Sequence, residues 1–97
     1  MDKIAEAIKN HRYLEFNYEG HVRRVVPYAF GRSVSKGTNV MRALQLSGGS
    51  VSGKNDFPKL FAIDEISELR ILDDIFSLIP LGYKKGDKHI NPILGEL

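Results

Sequence analysis

Apolar residues in most of this chain recur at every second position, in short segments separated by turn residues. This alternation is the pattern of half-buried β-strands, and it restricts the chain to a mainly β fold. The exception is residues 2–9, whose apolar residues recur at helical spacing. They predict a short helix that Asp2 caps and that ends at Asn10.

Five strands are predicted, at residues 13–18, 22–31, 40–46, 59–63 and 67–72. Glu19 and Gly20 have turn chemistry and predict a hairpin between the first two strands. Pro27 lacks the backbone N–H that a central strand donates, so it predicts a bulge, a bend or a sheet edge. The residues that alternation places on one face of the second strand are Val22, Arg24, Val26, Tyr28 and Phe30.

A chain of 97 residues has room for one domain. Residues 1–78 are expected to form that domain, and residues 79–97 a C-terminal tail. A helix followed by short antiparallel strands favours a small, strongly bent sheet or a barrel, because closure removes most exposed strand edges. Residues 73–76 are expected to begin a short helical turn, and residues 90–97 to dock as a last turn.

Composition excludes several classes of protein. No apolar run approaches the roughly 20 residues of a membrane span, and the charged N-terminus does not have the apolar stretch of a signal peptide. The absence of cysteine excludes disulfides, a thiol nucleophile and a cysteine-bound metal. We therefore expect a soluble, cytoplasmic protein with no membrane partner.

Charge is distributed unevenly along the chain. Residues 1–54 carry nine Lys or Arg residues against four acidic ones, whereas residues 55–97 carry five against eight. A basic half within a small fold attracts phosphates or acidic ligands. The alternative interpretation is a basic surface that is merely solvated.

The clearest motif match in the sequence is to a phosphate-binding loop, but the residues that follow the match do not fit that motif. Gly48, Gly53 and Lys54 have the Gly-x4-Gly-Lys spacing of such a loop. The motif requires a serine or threonine next, to hold magnesium, and then a helix. Asn55 follows instead, and the chain leads into a predicted strand. We therefore predict only a hairpin loop over residues 47–55.

No arrangement of residues predicts catalysis. His11, His21 and His89 are too scattered to predict a metal site, and none lies near the serine cluster in sequence. Adjacent carboxylates on a strand face opposite sides, so they do not form an acid/base pair. The sequence therefore predicts neither an enzyme nor a cofactor.

Three basic residues come from three different predicted strands. Arg23, Arg42 and Lys59 are expected to converge on one face, where they would form an anion site. Arg42 is the most informative, because it shares strand parity with apolar neighbours. A charge on an apolar face is costly unless it is paired or lies at the rim of a pocket. Both interpretations stay open for Arg42, and the expected ion-pair partner is Glu15 or Glu68.

Aromatic residues divide into core candidates and stacking candidates. Phe16, Phe30 and Phe61 are expected in the core. Tyr18 and Tyr28 offer stacking surfaces for nucleic-acid bases, but each also lies on the apolar parity of its strand. Core packing and base stacking therefore both remain open for these two residues.

The order of these elements resembles the WYL domain family. The matching segments are residues 4–8, 14–18, 23–27, 42–43, 60–66 and 72–76. Asn39, Val40 and Met41 occupy the positions of the Trp-Tyr-Leu tripeptide that names the family, so both of its aromatic residues are missing here. The resemblance implies a mainly β fold, a small five-stranded SH3/Sm-like antiparallel barrel with a short N-terminal helix and a C-terminal tail. It also implies the stand-alone form of the domain, without the helix-turn-helix that precedes it in bacterial transcription regulators.

WYL domains are implicated as sensors of ligands, including nucleic acids. The resemblance therefore implies a non-enzymatic, ligand-sensing or regulatory binding module. The expected ligand is anionic, either single-stranded nucleic acid or a phosphorylated small molecule, and the expected binding residues are Arg23, Tyr28, Arg42 and Lys59. The alternative is a protein-interaction or self-assembly module with no small ligand, partnered by a transcription regulator or by a second copy of the chain.

Overall fold

The computed structural model describes residues 1–48, 58–77, 83 and 85–97. Within these ranges the elements are helix α1 (Asp2–Lys9) and strands β1 (Arg12–Tyr18), β2 (His21–Ser33), β3 (Asn39–Gly48), β4 (Pro58–Ala62), β5 (Ser67–Ile75) and β6 (Ile90–Glu96). A short 3-10 turn, Ile63–Glu65, joins β4 to β5. In this part of the chain no helix has the length and apolar content that a membrane crossing requires.

Strand β2 is the centre of the sheet because it is long enough to pair with two strands in succession along one side. Its first half pairs with β1, where Leu14 lies opposite Val25. Its second half pairs with β6, where Ala29 lies opposite Glu96. Strand β3 pairs along the other side, and all of these pairings are antiparallel.

The fold is mainly β and its sheet is antiparallel, as expected, but the sheet is not closed into a barrel. The strand order is β4-β3-β2-β1-β5, with β6 added beside β2. At the end of β4, the amide of Ala62 donates to the Tyr18 hydroxyl at 3.0 Å. A side chain therefore satisfies this edge donor. The described residues form six strands rather than the expected five.

The predicted helix and first hairpin are confirmed, although the predicted cap is wrong. Met1 occupies the N-cap position of α1 without a side-chain hydrogen bond, and Asp2 lies in the first turn. Glu19 and Gly20 both have positive φ, 50° and 79°. Tyr18 and His21 therefore pair directly across a two-residue turn.

Two expectations for the C-terminal half are wrong. Residues 73–75 continue strand β5, where a helical turn was expected to begin. The expected last turn at residues 90–97 is strand β6. Pairing with β2 explains the second difference, because it buries Ile90 against Ala29 and Val40. The tail segment thus contributes a strand to the same sheet.

Helix α1 packs on one face of the sheet and completes the main core. Phe16, Phe30 and Phe61 are buried there, as predicted. The rings of Phe16 and Phe61 meet edge to face, with centroids 5.2 Å apart. Burial of such side chains is the main stabilising term for a domain of this size.

Register shifts within β2 change the predicted face assignment. One shift lies between Arg24 and Val25 and another between Pro27 and Ala29, so the bulge predicted at Pro27 is confirmed. Before the first shift, Val22 is exposed, whereas Arg23 is buried. The predicted common face is wrong only at its end: Val26 and Tyr28 pack in one cluster, whereas Phe30 packs in the main core, because the extra residue at Tyr28 reverses which side chains point inward.

Gly31 gives a test of the β2–β6 packing. A Cβ atom at Gly31 would lie under 3.0 Å from the carbonyl oxygen of Pro92 and 2.6 Å from Cγ2 of Ile90. We expect Gly31→Ala to lower the free energy of unfolding by about 1–3 kcal/mol, because β6 must move outward. Native-state hydrogen exchange should show faster exchange at the Leu97 amide, which donates to the Tyr28 carbonyl. Wild-type exchange there would contradict this packing, and Val34→Ala, at an exposed neighbour, is the control.

Candidate functional site

The four predicted binding residues do not share one face. Arg42 lies opposite Leu60 in the β3–β4 ladder, whereas Lys59 lies opposite Ala43. Neighbouring positions on a strand point to opposite faces, so Arg42 and Lys59 lie on opposite sides of the sheet. The expected convergence of Arg23, Arg42 and Lys59 is therefore wrong.

Arg23 lies in the main core rather than in an open site. Its side chain is only 3% exposed, and its Cζ lies 5.1 Å from the centroid of the Tyr18 ring and 5.7 Å from that of Phe61. One terminal nitrogen lies 3.4 Å from Oε1 of Glu19. Its Nε has no hydrogen-bond partner among the residues the structure describes. These contacts tie Arg23 to the hairpin and hold it away from an external phosphate.

Arg42 forms the ion pair that was one of its two open interpretations, but with a different acid. Its Nε donates to Oδ2 of Asp87 at 2.7 Å, and its NH2 group donates to Oδ1 at 3.4 Å. The expected partner Glu15 pairs instead with Arg24 and Arg70. The other expected partner, Glu68, accepts a hydrogen bond from Asn17 at 2.9 Å.

Two further contacts fix the Arg42 guanidinium in place. NH1 donates to the carbonyl oxygen of Pro58 at 3.3 Å, and NH2 lies 2.9 Å from Nδ1 of His89. A guanidinium has only donors, so this contact is a hydrogen bond when Nδ1 of His89 accepts.

A cavity of about 310 Å³ adjoins Arg42. Its lining comes from Tyr28 and Ala29 of β2, Arg42 of β3, Pro58 of β4 and residues 86–89, which precede β6. The volume lies at the small end of the range for small-molecule sites, about 300–1,000 Å³. The structure thus brings Tyr28 and Arg42 together, and it leaves Arg23 and Lys59 outside the lining.

The cavity combines an apolar wall with a positive electrostatic balance. Tyr28 is 2% exposed, and burial raises the pKa of its phenol, so its hydroxyl keeps its proton at neutral pH. Among the lining residues, Arg42 and Lys88 are positive and Asp87 is negative. One positive charge is left over, which favours an anion at this site.

Asp87 has a pKa below its ordinary value of 3.8. Burial acts in the opposite direction and raises this pKa, but hydrogen bonds from Arg42 and from the His89 amide outweigh it, together with the charge of Arg42. The carboxylate form is therefore favoured in the folded protein. A folded-state pKa below the unfolded one stabilises the fold above the unfolded pKa, and this contribution is lost as pH falls through the folded value.

Acid should therefore weaken the attachment of Asp87. We expect the free energy of unfolding to fall as pH drops below about 4, and Asp87→Asn to remove part of this dependence. Urea unfolding between about pH 3 and pH 6 measures both effects. Asp73→Asn is the matched control, because Asp73 is fully exposed in its ion pair with Arg12. Identical pH dependence in the wild type and in Asp87→Asn would contradict the assignment.

Sequence reasoning missed several residues of the site, among them Asp87, His89 and Pro58. One signal did predict an acidic residue at the site: the charge of Arg42 on an apolar strand face needs a countercharge, which Asp87 supplies. Lys88 also lies in the cavity lining and was not predicted as a site residue. The loop predicted at residues 47–55, with its phosphate-loop spacing, lies outside the described residues from residue 49 onward.

The described residues hold no group of three His, Asp or Glu side chains that could bind a metal ion. Comparison with protein-family models, curated proteins and solved structures finds no match. The resemblance to WYL domains therefore stays a prediction from the sequence. The candidate site rests on the geometry around Arg42.

Proposed function

We propose that this protein is a non-enzymatic binding module that holds a small organic anion in the Arg42 cavity. The observation that carries the proposal is the Arg42 guanidinium itself, which is fixed by contacts on three sides within a cavity of about 310 Å³. A positioned guanidinium recognises a carboxylate or phosphate through two parallel hydrogen bonds. The resemblance to WYL domains supports a ligand-sensing, regulatory role for this binding.

The cavity lining indicates the rest of the ligand. The buried ring of Tyr28 and the side chain of Pro58 offer an apolar wall, while Lys88 adds a second positive charge. Small-molecule sites commonly combine such a wall with a few polar groups that fix orientation. The expected ligand is therefore an anionic group on a small, partly apolar body, such as an aromatic phosphate or carboxylate.

A nucleic-acid strand running across all three predicted cations fits this geometry less well. Arg23 is buried beneath Tyr18 and Phe61, and Lys59 lies on the opposite face from Arg42. One backbone cannot contact all three residues at once. A phosphorylated small molecule is thus favoured over single-stranded nucleic acid, and the experiment below separates the two.

Isothermal titration calorimetry with three probes tests the proposal. Phenyl phosphate and benzoate carry the anion, and benzyl alcohol has a similar ring without charge. We expect both anions to bind at least about tenfold more tightly than the alcohol, because a charge-assisted bidentate pair is lost with the anion. An alcohol that binds equally well would contradict the proposal. Binding of single-stranded oligothymidine without binding of phenyl phosphate would favour the nucleic-acid alternative.

Two neighbouring lysines give the matched variants for this titration. Lys88 lines the cavity, whereas Lys85 is exposed outside its lining. Lys88→Ala should weaken phenyl phosphate binding about fivefold, and Lys85→Ala should change it by less than about twofold. Equal losses of phenyl phosphate affinity in both variants would show that only the net charge of the chain matters, and would contradict binding in the cavity.

A further inference from the structure

The edge of Arg42 that suits an incoming anion already holds a carboxylate of the same chain. Nε and NH2 of Arg42 donate to the two oxygens of Asp87, at 2.7 and 3.4 Å. This is the side-on geometry with which arginine holds a free carboxylate or phosphate. The side chain of Asp87 is only 11% exposed, so it occupies the anion position rather than the rim.

We propose that Asp87 is an internal occupant of the anion site, which the ligand must displace from Arg42. The inference rests on the proposed function, and it adds how binding at that site is regulated. The Asp87 carboxylate and an incoming anion cannot both accept from Nε and NH2 of Arg42, since two negative groups at hydrogen-bond distance from the same donors would repel each other. Ligand affinity is therefore set by competition with Asp87.

The contacts of Asp87 connect this competition to the rest of the fold. Its Oδ1 accepts from the His89 amide at 2.9 Å, and its carbonyl oxygen accepts from the Ile90 amide at 3.2 Å. The His89 carbonyl in turn accepts from the Val34 amide at 3.0 Å. Displacing the carboxylate weakens the attachment of residues 86–89, which lead directly into β6. Occupancy of the cavity is thereby coupled to the start of this strand.

The proposal is tested by measuring phenyl phosphate affinity in charge-matched variants. Asp87→Asn removes the competing charge and leaves the Arg42 guanidinium without a countercharge. The dissociation constant of this variant for phenyl phosphate should therefore be at least about tenfold lower than that of the wild type. Asp73→Asn removes the same charge at an exposed position and should stay within about twofold of wild type. Equal or weaker binding by Asp87→Asn, with wild-type binding intact, overturns the proposal while the proposed function stands.

A second measurement on the wild-type protein covers the case in which Asp87→Asn does not fold. In the wild type, the carboxyl ¹³C resonance of Asp87 should shift on saturation with phenyl phosphate, and the amide of Ile90 should exchange faster. A carboxyl resonance unchanged at saturation overturns the displacement. Absence of binding by either anion probe to the wild type and to Asp87→Asn would instead sink the proposed function.

Discussion

Phe61→Ala is expected to lower the free energy of unfolding by about 3–5 kcal/mol, enough to threaten the stability of so small a domain. Phe61 is 1% exposed, and its ring meets those of Phe16 and Tyr18 edge to face at 5.2 and 5.0 Å. Its removal also takes an aromatic face from the buried guanidinium of Arg23. Equilibrium urea unfolding, monitored by circular dichroism, measures the effect.

The neighbouring residue on the same strand provides the control. Leu60 points to the opposite face and is 36% exposed. Leu60→Ala should cost about 1 kcal/mol, because less apolar surface is lost and no closed cavity is left. If the two variants lost similar stability, the face assignment of β4 would be wrong, and with it the placement of Arg42 away from the main core.

Arg42→Ala should lower the free energy of unfolding by about 2–3 kcal/mol and abolish anion binding. The reason is that Asp87 would keep a largely buried carboxylate without its guanidinium partner. Arg42→Lys should recover part of the stability but little of the binding, since an ammonium lacks the planar pair of donors. Thermal melts and phenyl phosphate titrations of both variants give the two quantities.

An exposed ion pair is the control that shows how much of the stability lost in Arg42→Ala is due to the burial of the Arg42–Asp87 pair. Arg70 pairs with Glu15, but its side chain is 66% exposed. Arg70→Ala should therefore cost less than about 1 kcal/mol and leave binding unchanged. An Arg42→Ala variant that lost stability but bound the probe as tightly as the wild type would make Arg42 a purely structural residue.

Most of the first half of the fold is predictable from local patterns. The helix, the Glu19–Gly20 hairpin and the first four strands follow from spacing and turn chemistry, and the large aromatic residues are placed in the core correctly. The bulge at Pro27 follows from its missing amide hydrogen. The face of Phe30 does not, because alternation assumes an unbroken strand and the extra residue at Tyr28 interrupts it.

Strand β6 illustrates a limit of local patterns. Its segment contains Asn91, Pro92 and Gly95, which are all poor strand formers. Pairing with the second half of β2 decides its conformation, and no signal within residues 90–96 encodes that partner. Tertiary context therefore overrides propensity here.

The candidate site likewise has one part that the sequence predicts and another that depends on tertiary context. Arg42 could be singled out because its charge interrupts an apolar face, and that anomaly correctly requires either a partner or a pocket. The structure supplies both, in Asp87 and in the surrounding cavity. Asp87 lies 45 residues away, so only the docking of the C-terminal segment brings the two together. Alternation also places Arg23 on the same side of β2 as Val25, opposite Phe16 of β1, and this side faces the main core.

The most direct test of the central claim is a two-dimensional ¹H–¹⁵N NMR titration of the wild-type protein with phenyl phosphate. We predict saturable shifts that are largest at the Nε–H of Arg42 and at the amides of residues 86–89, the groups around the cavity. Shifts that centre instead on Arg23 and Lys59 would place the ligand on the other face of the sheet. That result, or the absence of any saturable shift, would contradict an anion site at Arg42.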